Sequence, residues 1–476
     1  MRCFKFRNLM SRRSLLQQSA CGFAGVSLAA MAGQCSMAQD AASAADSAAI
    51  LRTPLPHLVQ RARRVIFLFM WGGPSHVDLF DYKPHLNDFA GKPVTPDAYG
   101  GKQPPGGNIL GSPFKYRQYG DGGVWISELF PQLARHADRL CVIRSMHTDG
   151  SAHGEALLNL HTGHSNLLRP SVGAWVSYGL GSESENLPAF VTISPPRGHG
   201  GVQNYGSAFL PAVHQGTAIG AAEIPIANAK ISNITNPSID HSTQREQLNL
   251  IQALNRQHLE KSQADQGIEG LIASYELAFR MQSAIPQIMS LSDETPETLE
   301  LYGVDKEPTN NFARQCLLAR KFAEQGVRYI QVSTDYTWDH HTKNNDGLVK
   351  ECAQVDKPIA GLLTDLARRG LLEDTLVVWG SEFGRTPTVE NGDGRNHHPA
   401  AFTMWMAGGG VRGGLTYGST DDFGFHPVEN PVHMHDFHAT LLYALGLDHK
   451  RLTYRFAGRD FRLTDVFGNV QHQLFV

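Results

Sequence analysis

The chain has 476 residues, 41% of them apolar, so it can bury a large core in one big domain or in two to three ordinary ones. Its 42 basic and 45 acidic side chains give a net charge of −3. The chain therefore lacks the excess of positive charge with which nucleic-acid-binding proteins attract DNA or RNA, and we expect no nucleic-acid partner.

The first 38 residues have the pattern of an export signal. The sequence Ser11–Leu16 (SRRSLL) precedes the small-residue apolar run Ala20–Ala32, and a cleavage site is predicted after Ala38. The run is shorter than the roughly 18–20 residues of a membrane-spanning helix. The paired arginines resemble a twin-arginine signal, with an ordinary secretory signal as the alternative. We therefore expect a periplasmic or secreted protein with no transmembrane segment after signal removal, and a flexible linker over 39–63.

From residue 64 onwards, apolar runs alternate with segments of helical spacing. The first run, Arg64–Trp71, is typical of a strand buried on both faces, and the later predicted strands are Leu140–Ile143, Phe190–Ile193, Val327–Val332, Thr375–Trp379 and Phe402–Met406. Helices are predicted around Glu128–Asp138, up to about His161, over most of 240–325, over Ile359–Leu366 and over Ala439–Leu445. This alternation favours a single α/β domain over 64–470, with a mostly parallel sheet sandwiched by helices on both faces. Within it, 198–310 is predicted to be an insertion or a lid.

Three segments rich in Asp, Glu and His lie near the ends of predicted strands. They are Ser381–Gly384 (SEFG), Trp338–His341 (WDHH) and a later loop, Gly394–Pro399 (GRNHHP). Because parallel strands present their carboxyl ends at one edge of a sheet, we expect the segments to meet in one metal-centred hydrolytic site. Asp339, His341 and a histidine of the third segment make an oxygen–nitrogen set suited to zinc or manganese, unless Asp339 caps a turn and the histidines lie at the surface.

Several motifs together resemble a family of secreted bacterial proteins known as domain of unknown function 1501. They are Gly-Gly-Pro-Ser after the first strand, Trp338-Asp-x-His341, Ser381–Pro387 (SEFGRTP), Gly394-Arg-x-His397 and Gly458–Val466 (GRDFRLTDV). The resemblance covers roughly residues 60–470. That family is grouped with the alkaline phosphatase and sulfatase superfamily, but its own activity is not established. The resemblance implies an alkaline phosphatase/sulfatase-like fold and the location of the site.

The resemblance also implies a set of metal ligands for a divalent ion, which we expect to be zinc, manganese or calcium. Asp339, His341 and His397 inherit the role of ligands to one metal. Glu382 stands where relatives have a metal-binding Asp, and Phe383 replaces a neighbouring His. Asp78 is a further candidate ligand from the loop after the first strand, with a helix cap as the alternative.

The nucleophile of the superfamily has no counterpart at the matching position. This chain has His153 where sulfatases have Cys or Ser, and a histidine there either attacks the substrate, binds metal, or acts as general acid or base beside a metal-activated water. Thr148 and Ser151 are alternative nucleophiles. Arg144 and Arg385 lie just past strand ends and are predicted to bind an anionic group, with ordinary salt bridges as the alternative.

These observations predict an exported, metal-dependent hydrolase of phosphate or sulfate esters, acting on a small molecule or a carbohydrate. The altered ligands and the missing nucleophile favour an alternative, a catalytically degraded relative that binds an anionic glycan or a protein partner. A third hypothesis is a metal-dependent hydrolase of amides or carboxylic esters, since that chemistry requires no phosphate-specific nucleophile.

Overall fold

The computed structural model describes residues 55–95, 107–229, 238–261 and 266–476. Residues Thr53–Val476 form one compact unit. The predicted export signal and the first part of the predicted linker lie outside the described residues. The last part of that linker is hydrogen-bonded to the chain near residue 445, since the backbone N–H groups of Arg61 and Ala62 both donate to the carbonyl of Ala444. Among the described residues, no helix is long and apolar enough to cross a membrane.

The strands are short and mostly buried. In chain order they are β1 (Arg64–Phe69), β2 (Tyr116–Tyr119), β3 (Val124–Ser127), β4 (Leu140–His147), β5 (Phe190–Ile193), β6 (Thr217–Ile219), β7 (Tyr329–Ser333), β8 (Thr375–Gly380), β9 (Gly384–Glu390), β10 (Gly394–His398), β11 (Phe402–Ala407), β12 (Leu415–Tyr417), β13 (Ser419–Thr420), β14 (Pro427–Glu429), β15 (Val432–His433), β16 (Tyr454–Phe456) and β17 (Arg459–Phe461).

Helices connect most of the strands of the large sheet. They are α1 (His76–Leu79), α2 (Pro84–Asp88), α3 (His153–Thr162), α4 (Val172–Leu180), α5 (His241–Lys261), α6 (Gln266–Met289), α7 (Pro296–Tyr302), α8 (Asn310–Glu324), α9 (Asn344–Arg368) and α10 (Met434–Ala444). A 3₁₀ helix, Leu133–Arg139, precedes β4.

Nine strands form the central sheet, in the order β12-β4-β11-β8-β1-β7-β5-β6, with β15 also paired to β4. Strand β11 is antiparallel to both of its neighbours, and the other pairings in this sheet are parallel. The predicted α/β fold with a mostly parallel sheet is confirmed. Because β1, β7 and β8 lie side by side, the segments that follow them emerge at the same edge.

Two hydrophobic cores cover the two faces of this sheet. Alternate side chains of β1 divide between them: Ile66 and Leu68 pack with residues of α8 and α9, whereas Phe67 and Phe69 pack with residues of α3, α4 and α10. A strand that is buried on both faces requires apolar residues at successive positions, which is the pattern that the sequence shows. The predicted helices on both faces are therefore confirmed.

Some local predictions were wrong, for identifiable reasons. The helix predicted over Glu128–Asp138 is a 3₁₀ helix that begins at Leu133, because Pro131 disfavours helical backbone at the residue before it. The last helix begins at Met434, earlier than predicted, because His433 and Asp436 form a capping box there. The segment predicted as a loop, Gly394–Pro399, is largely strand β10, paired with β9 in a hairpin.

Candidate metal centre

Four side chains meet at the edge of the sheet where β7 and β8 end. Asp339 and His341 follow β7, His397 lies on β10, and His153 is the first residue of α3. Their ligand atoms all lie within 4.8 Å of one another. Oδ1 of Asp339 is 3.2 Å from Nε2 of His153, 3.0 Å from Nε2 of His341 and 3.3 Å from Nε2 of His397. The structure thus brings together the three predicted ligands and adds His153, predicted as a catalytic group, to the same cluster.

Hydrogen bonds at the other ring nitrogen orient two of these imidazoles. Nδ1 of His397 is 2.8 Å from the carbonyl oxygen of Ser151, which can only accept, so this nitrogen carries the hydrogen. Nδ1 of His341 contacts a carboxylate oxygen of Glu390 in the same manner. In the neutral rings the lone pair is therefore on Nε2, the nitrogen that faces Asp339.

His153 has the same arrangement with a fully buried partner. Its Nδ1 lies 2.6 Å from Oε1 of Glu382, whose side chain has no solvent exposure. Its Nε2 is buried and faces Oδ1 of Asp339, but it has no well-aligned hydrogen-bond partner among the described residues. Metal-binding histidines commonly donate their second ring nitrogen to a carboxylate or a carbonyl, which fixes the tautomer and makes the ligand more basic. All three histidines of the cluster satisfy that condition.

The distances fit one ion among the four atoms. Nε2 of His341 lies 2.9 Å from Nε2 of His397, so two lone pairs face each other and require a proton or a cation between them. Zinc–ligand distances of about 2.0–2.1 Å in a tetrahedral site place neighbouring ligand atoms about 3.3 Å apart. Four of the six separations are 2.9–3.3 Å, close to that value, and all six are within 4.8 Å.

Glu382 lies behind His153 rather than among the converging atoms. Its Oε1 accepts from the backbone N–H of Gly72 at 3.1 Å, and its Oε2 contacts the hydroxyl of Ser381. Burial alone would raise the pKa of Glu382, but the hydrogen bond and charge of His153 outweigh it and hold that pKa below its ordinary value. The carboxylate predicted as a ligand therefore occupies a supporting position.

Arg385 is fully buried, and most of its donors are occupied by the protein. Nε donates to the carbonyl of Gly73 at 2.9 Å, and one terminal nitrogen donates to the carbonyl of Arg395 at 3.1 Å. The other terminal nitrogen contacts the carbonyl of Gly72 and Oδ1 of Asp339. The guanidinium predicted to bind an anionic substrate thus holds the turn after β1 against the carboxylate of Asp339.

The structure does not bring Asp78 or Arg144 to the cluster. Asp78 is completely buried in α1 and pairs with Arg395, with Nε 2.8 Å from Oδ2. Burial raises the pKa of Asp78, but the charge and hydrogen bonds of Arg395, together with hydrogen bonds from Ser75 and Ser112, lower it below its ordinary value. Arg144 lies on β4, where it contacts Asp81 at 3.6 Å and the carbonyl of Gly418 at 3.3 Å.

Charges within the cluster stabilise its ionised form. Burial raises the pKa of Asp339, yet its close contacts with His153 and His397 and the charge of Arg385 hold it well below its ordinary range. Burial lowers the pKa of His153, but the contacts with Asp339 and Glu382 raise it above its ordinary value. The site therefore concentrates negative charge that either protons or a divalent cation can neutralise.

Sequence reasoning did not find the residues that surround the cluster. Tyr336, three residues before Asp339, donates its hydroxyl to Oδ2 of Asp339 at 2.7 Å. The ring of His199 stacks on that of His153, with centroids 5.2 Å apart. Glu390 precedes the β9–β10 turn, at which Asn391 and Gly392 have positive φ. The Asn-Gly pair is typical of a hairpin turn, and it could have predicted that Glu390 lies at the end of a strand beside that turn.

The hydroxyl groups predicted as alternative nucleophiles have other contacts. Thr148 is buried and accepts a hydrogen bond from Nδ2 of Asn159 at 3.1 Å. Ser151 contacts His397 through its backbone carbonyl. The hydroxyl of Ser381, which was not among those predictions, lies 2.6 Å from the carbonyl of Met70 and also contacts Oε2 of Glu382, so its single hydrogen is shared between these two acceptors. Among the described residues, no serine or threonine hydroxyl contacts the four cluster side chains.

Several solved structures are similar to this chain. The lipoteichoic acid synthase LtaP from Listeria monocytogenes is 10% identical, with a TM-score of 0.37, over 88% of this chain and 80% of the other. PsFucS1 sulfatase from Pseudoalteromonas sp. is 12% identical, with a TM-score of 0.35, over 81% and 68%. Alkaline phosphatase from the Antarctic bacterium TAB5 is 12% identical, with a TM-score of 0.28, over 74% and 92%.

Sequence comparison gives the family directly. No curated protein is similar enough to this chain to be matched. A family model described as "Protein of unknown function (DUF1501)" matches residues 62–475, nearly the whole described part of the chain. The predicted resemblance is confirmed: the chain belongs to the DUF1501 family.

Proposed function

We propose that this protein holds one divalent metal ion between His153, Asp339, His341 and His397 and hydrolyses phosphate or sulfate esters. The observation that carries the proposal is the convergence of three Nε2 lone pairs on one carboxylate oxygen, each imidazole being fixed by an acceptor at Nδ1. Three lone pairs aimed at one point are costly without a cation and favourable with one.

The donor set narrows the choice of metal. Imidazole ligands suit zinc and manganese, whereas calcium binds mainly oxygen, so the three histidines favour the first two ions over calcium. A bound ion would supply Lewis-acid polarisation of the anionic group of an ester. The guanidinium of Arg385 contacts Oδ1 of Asp339 and adds a fixed positive charge next to the cluster, which favours a single ion there.

The protein's own groups define the approach to this site. His341 and His397 have side-chain exposures of 32% and 17%, whereas His153 has 6%, so a substrate reaches the cluster from the side of the first two. Tyr336 is 38% exposed and stands beside Asp339. We assign His153 to metal binding, Tyr336 and Arg385 to positioning Asp339, and Glu382 to positioning His153.

A second candidate function is binding without turnover. Four protein ligands fill a tetrahedral ion, which is the pattern of structural zinc sites, whereas catalytic zinc sites keep one position open. The lack of a serine or threonine hydroxyl near the cluster, among the described residues, also favours this candidate. In that case the metal stabilises the site, and the cleft binds an anionic glycan or a protein without cleaving it.

An ester screen separates the two candidates. Metal-free protein and protein reconstituted with zinc or manganese are assayed on p-nitrophenyl phosphate, bis(p-nitrophenyl) phosphate, p-nitrophenyl sulfate and p-nitrophenyl acetate, beside His341→Ala. His85→Ala is the matched control, since His85 is exposed and forms an ion pair with Asp88 outside the cluster. The proposal expects metal-dependent turnover of a phosphate or sulfate ester that His341→Ala loses and His85→Ala keeps. Turnover that is indifferent to metal removal would contradict it, and stoichiometric metal without turnover supports the second candidate.

We further propose that the protein is exported to the periplasm or secreted, which rests on the N-terminal pattern with Arg12 and Arg13. Fractionation of cells that express the full chain and an Arg12→Lys/Arg13→Lys variant tests it. Retention of the variant in the cytoplasm is the expected result, and unchanged export would favour an ordinary secretory signal.

A further inference from the structure

The segment Gly458–Val466 (GRDFRLTDV) belongs to the sequence motifs of the family but makes no part of the metal centre. It forms strand β17 and one wall of a surface recess. The recess is small and partly open to solvent, and it is lined by Thr162, Gly163, His164, Arg169, Pro170, Trp175, Phe209, Arg462, Leu463 and Asp465.

Arginines outnumber carboxylates around this recess. Arg169 and Arg462 line it, and Arg459 beside it forms an ion pair with Asp465. Arg462 contacts the backbone carbonyl of Asp465 through Nε. Within the described parts of the chain, Arg169 and the terminal nitrogens of Arg462 have no hydrogen-bond partner. Three guanidinium groups therefore share one carboxylate, which leaves positive charge without a counterpart.

Aromatic stacking holds two of the three arginines, Arg169 and Arg459. The guanidinium carbon of Arg169 lies 4.3 Å from the ring centroid of Phe461, and that of Arg459 lies 4.8 Å from the same centroid. A guanidinium stacked on a ring keeps its N–H groups free at the edge, where they can bind an oxyanion in a bidentate manner. Burial lowers the pKa of Arg169 below its ordinary value, although the carboxylate of Asp465 raises it, and the charge of Arg459 adds to the lowering.

His164 adds a neutral donor to the same recess. Its Nδ1 accepts from the backbone N–H groups of Asn166 and Leu167, each at 3.3 Å. The hydrogen of the neutral ring is therefore on Nε2, and that N–H has no partner among the described residues. On the other side, Phe209 packs against Phe461 with ring centroids 4.9 Å apart, so an apolar wall lies beside the donors.

The recess is separate from the metal centre. His153 is the first residue of α3, and Thr162, which lines the recess, is the last. A rise of 1.5 Å per residue separates these two positions by about 14 Å along the helix. The recess is far smaller than a pocket that encloses a whole ligand, so it suits one anionic group whose parent molecule lies outside it.

We propose that this recess is a second binding site, which takes the sulfate or carboxylate of an acidic carbohydrate. The guanidinium edges of Arg169 and Arg462 bind the anionic group, His164 donates to it, and Phe209 packs against the apolar face of the sugar ring. A bounded recess favours a single group on a ring over a lipid surface, which requires an extended apolar face. The proposal does not depend on hydrolysis at the metal centre.

Direct binding to the full, metal-loaded protein tests the proposal. The probe is a fluorescein-labelled chondroitin sulfate hexasaccharide, measured by fluorescence anisotropy at about 150 mM salt, where weak long-range attraction is screened. Unsulfated chondroitin hexasaccharide and maltohexaose distinguish sulfate, carboxylate and neutral sugar. The protein variants are Arg169→Gln, Arg462→Gln and, as a control of equal charge, Arg455→Gln, whose side chain is 68% exposed and pairs with Asp460.

We expect Arg169→Gln and Arg462→Gln each to weaken binding about tenfold or more, since each removes a charge-assisted hydrogen bond. Arg455→Gln is expected to change it by less than about twofold, and His341→Ala should leave it unchanged. Circular dichroism melting confirms that each variant is folded. Four results overturn the proposal: no binding, equal binding of maltohexaose, binding that survives both arginine variants, or binding that His341→Ala abolishes. Arginine-dependent binding of an acidic peptide or of anionic lipid vesicles, but not of the hexasaccharides, would also overturn the assignment to carbohydrate.

Discussion

Replacing Glu382 by glutamine is the sharpest test of how the cluster is built. Three donors point at the two oxygens of Glu382: Nδ1–H of His153, the N–H of Gly72 and the hydroxyl of Ser381. Glutamine keeps the size of the side chain but offers one oxygen and one amino group. The hydroxyl of Ser381 can accept from that amino group while it donates to the carbonyl of Met70, but His153 loses the carboxylate that fixes its tautomer.

The structure gives a magnitude for this change. Loss of a carboxylate behind a metal-binding histidine costs about 10- to 100-fold in metal affinity, which corresponds to about 1.4–2.7 kcal/mol. Loss of the charge-assisted hydrogen bond from Nδ1 of His153 costs the metal-free protein about 1.5–3 kcal/mol of stability in addition. Glu390, behind His341, is 28% exposed, so water can replace part of its contact. We therefore expect Glu390→Gln to lose less affinity than Glu382→Gln.

The assay is competition for zinc or manganese between each folded variant and a chelating dye, beside urea unfolding of the metal-free proteins. The expected order of affinity is wild type, then Glu390→Gln, then Glu382→Gln. Wild-type affinity in a folded Glu382→Gln protein would refute the role given to Glu382. A larger loss in Glu390→Gln than in Glu382→Gln would refute the argument from burial.

Three further predictions follow from other contacts. Asp78→Asn should lower the free energy of unfolding by about 3–5 kcal/mol, because it leaves Arg395 buried without its partner. The amount of metal bound per folded chain should stay unchanged, and its loss would show that Asp78 is a ligand. Arg385→Lys should lower the free energy of unfolding, measured in urea, by about 1–3 kcal/mol, since an ammonium cannot reach all the carbonyls and the carboxylate that the guanidinium binds. Unchanged stability would contradict the structural role given to Arg385. Burial lowers the pKa of His438 to about 3 in the folded protein. Between about pH 6.5 and 3 the imidazole is therefore protonated in the unfolded chain but not in the folded one. The free energy of unfolding falls by about 1.4 kcal/mol for each pH unit as the pH decreases through that window. His438→Gln cannot take up that proton, so its stability measured from pH 7 to 5 should fall less steeply than that of the wild type, and equal slopes would contradict the assignment.

The sequence predicts the position of the site because strand order and strand ends are readable from it. Continuous apolar runs identify β1, β7 and β8, and parallel strands place the following segments at one edge. Asp339, His341 and His397 meet there as expected. Side-chain direction is what the sequence lacks: nothing in a spacing shows that His153 turns Nε2 to this centre while Glu382 stands behind it.

The arginines illustrate the same limit. Arg385 and Arg144 both follow strands, a position that suits substrate binding. In the fold, Arg385 is occupied by carbonyls and by Asp339, and Arg144 faces Asp81 instead. Both outcomes depend on which backbone carbonyls and carboxylates approach in three dimensions. The recess beside Gly458–Val466 depends likewise on Arg169 and Phe209, which are far from that segment in the sequence.

The central claim is that His153 completes a single metal site with Asp339, His341 and His397. Its most direct test is the metal content, by elemental analysis, of the mature protein and of a folded His153→Ala variant after dialysis against a limiting concentration of zinc or manganese. We predict one equivalent of metal in the wild type and a marked loss in the variant. No metal in the wild type, or a full equivalent retained by His153→Ala, would contradict the claim.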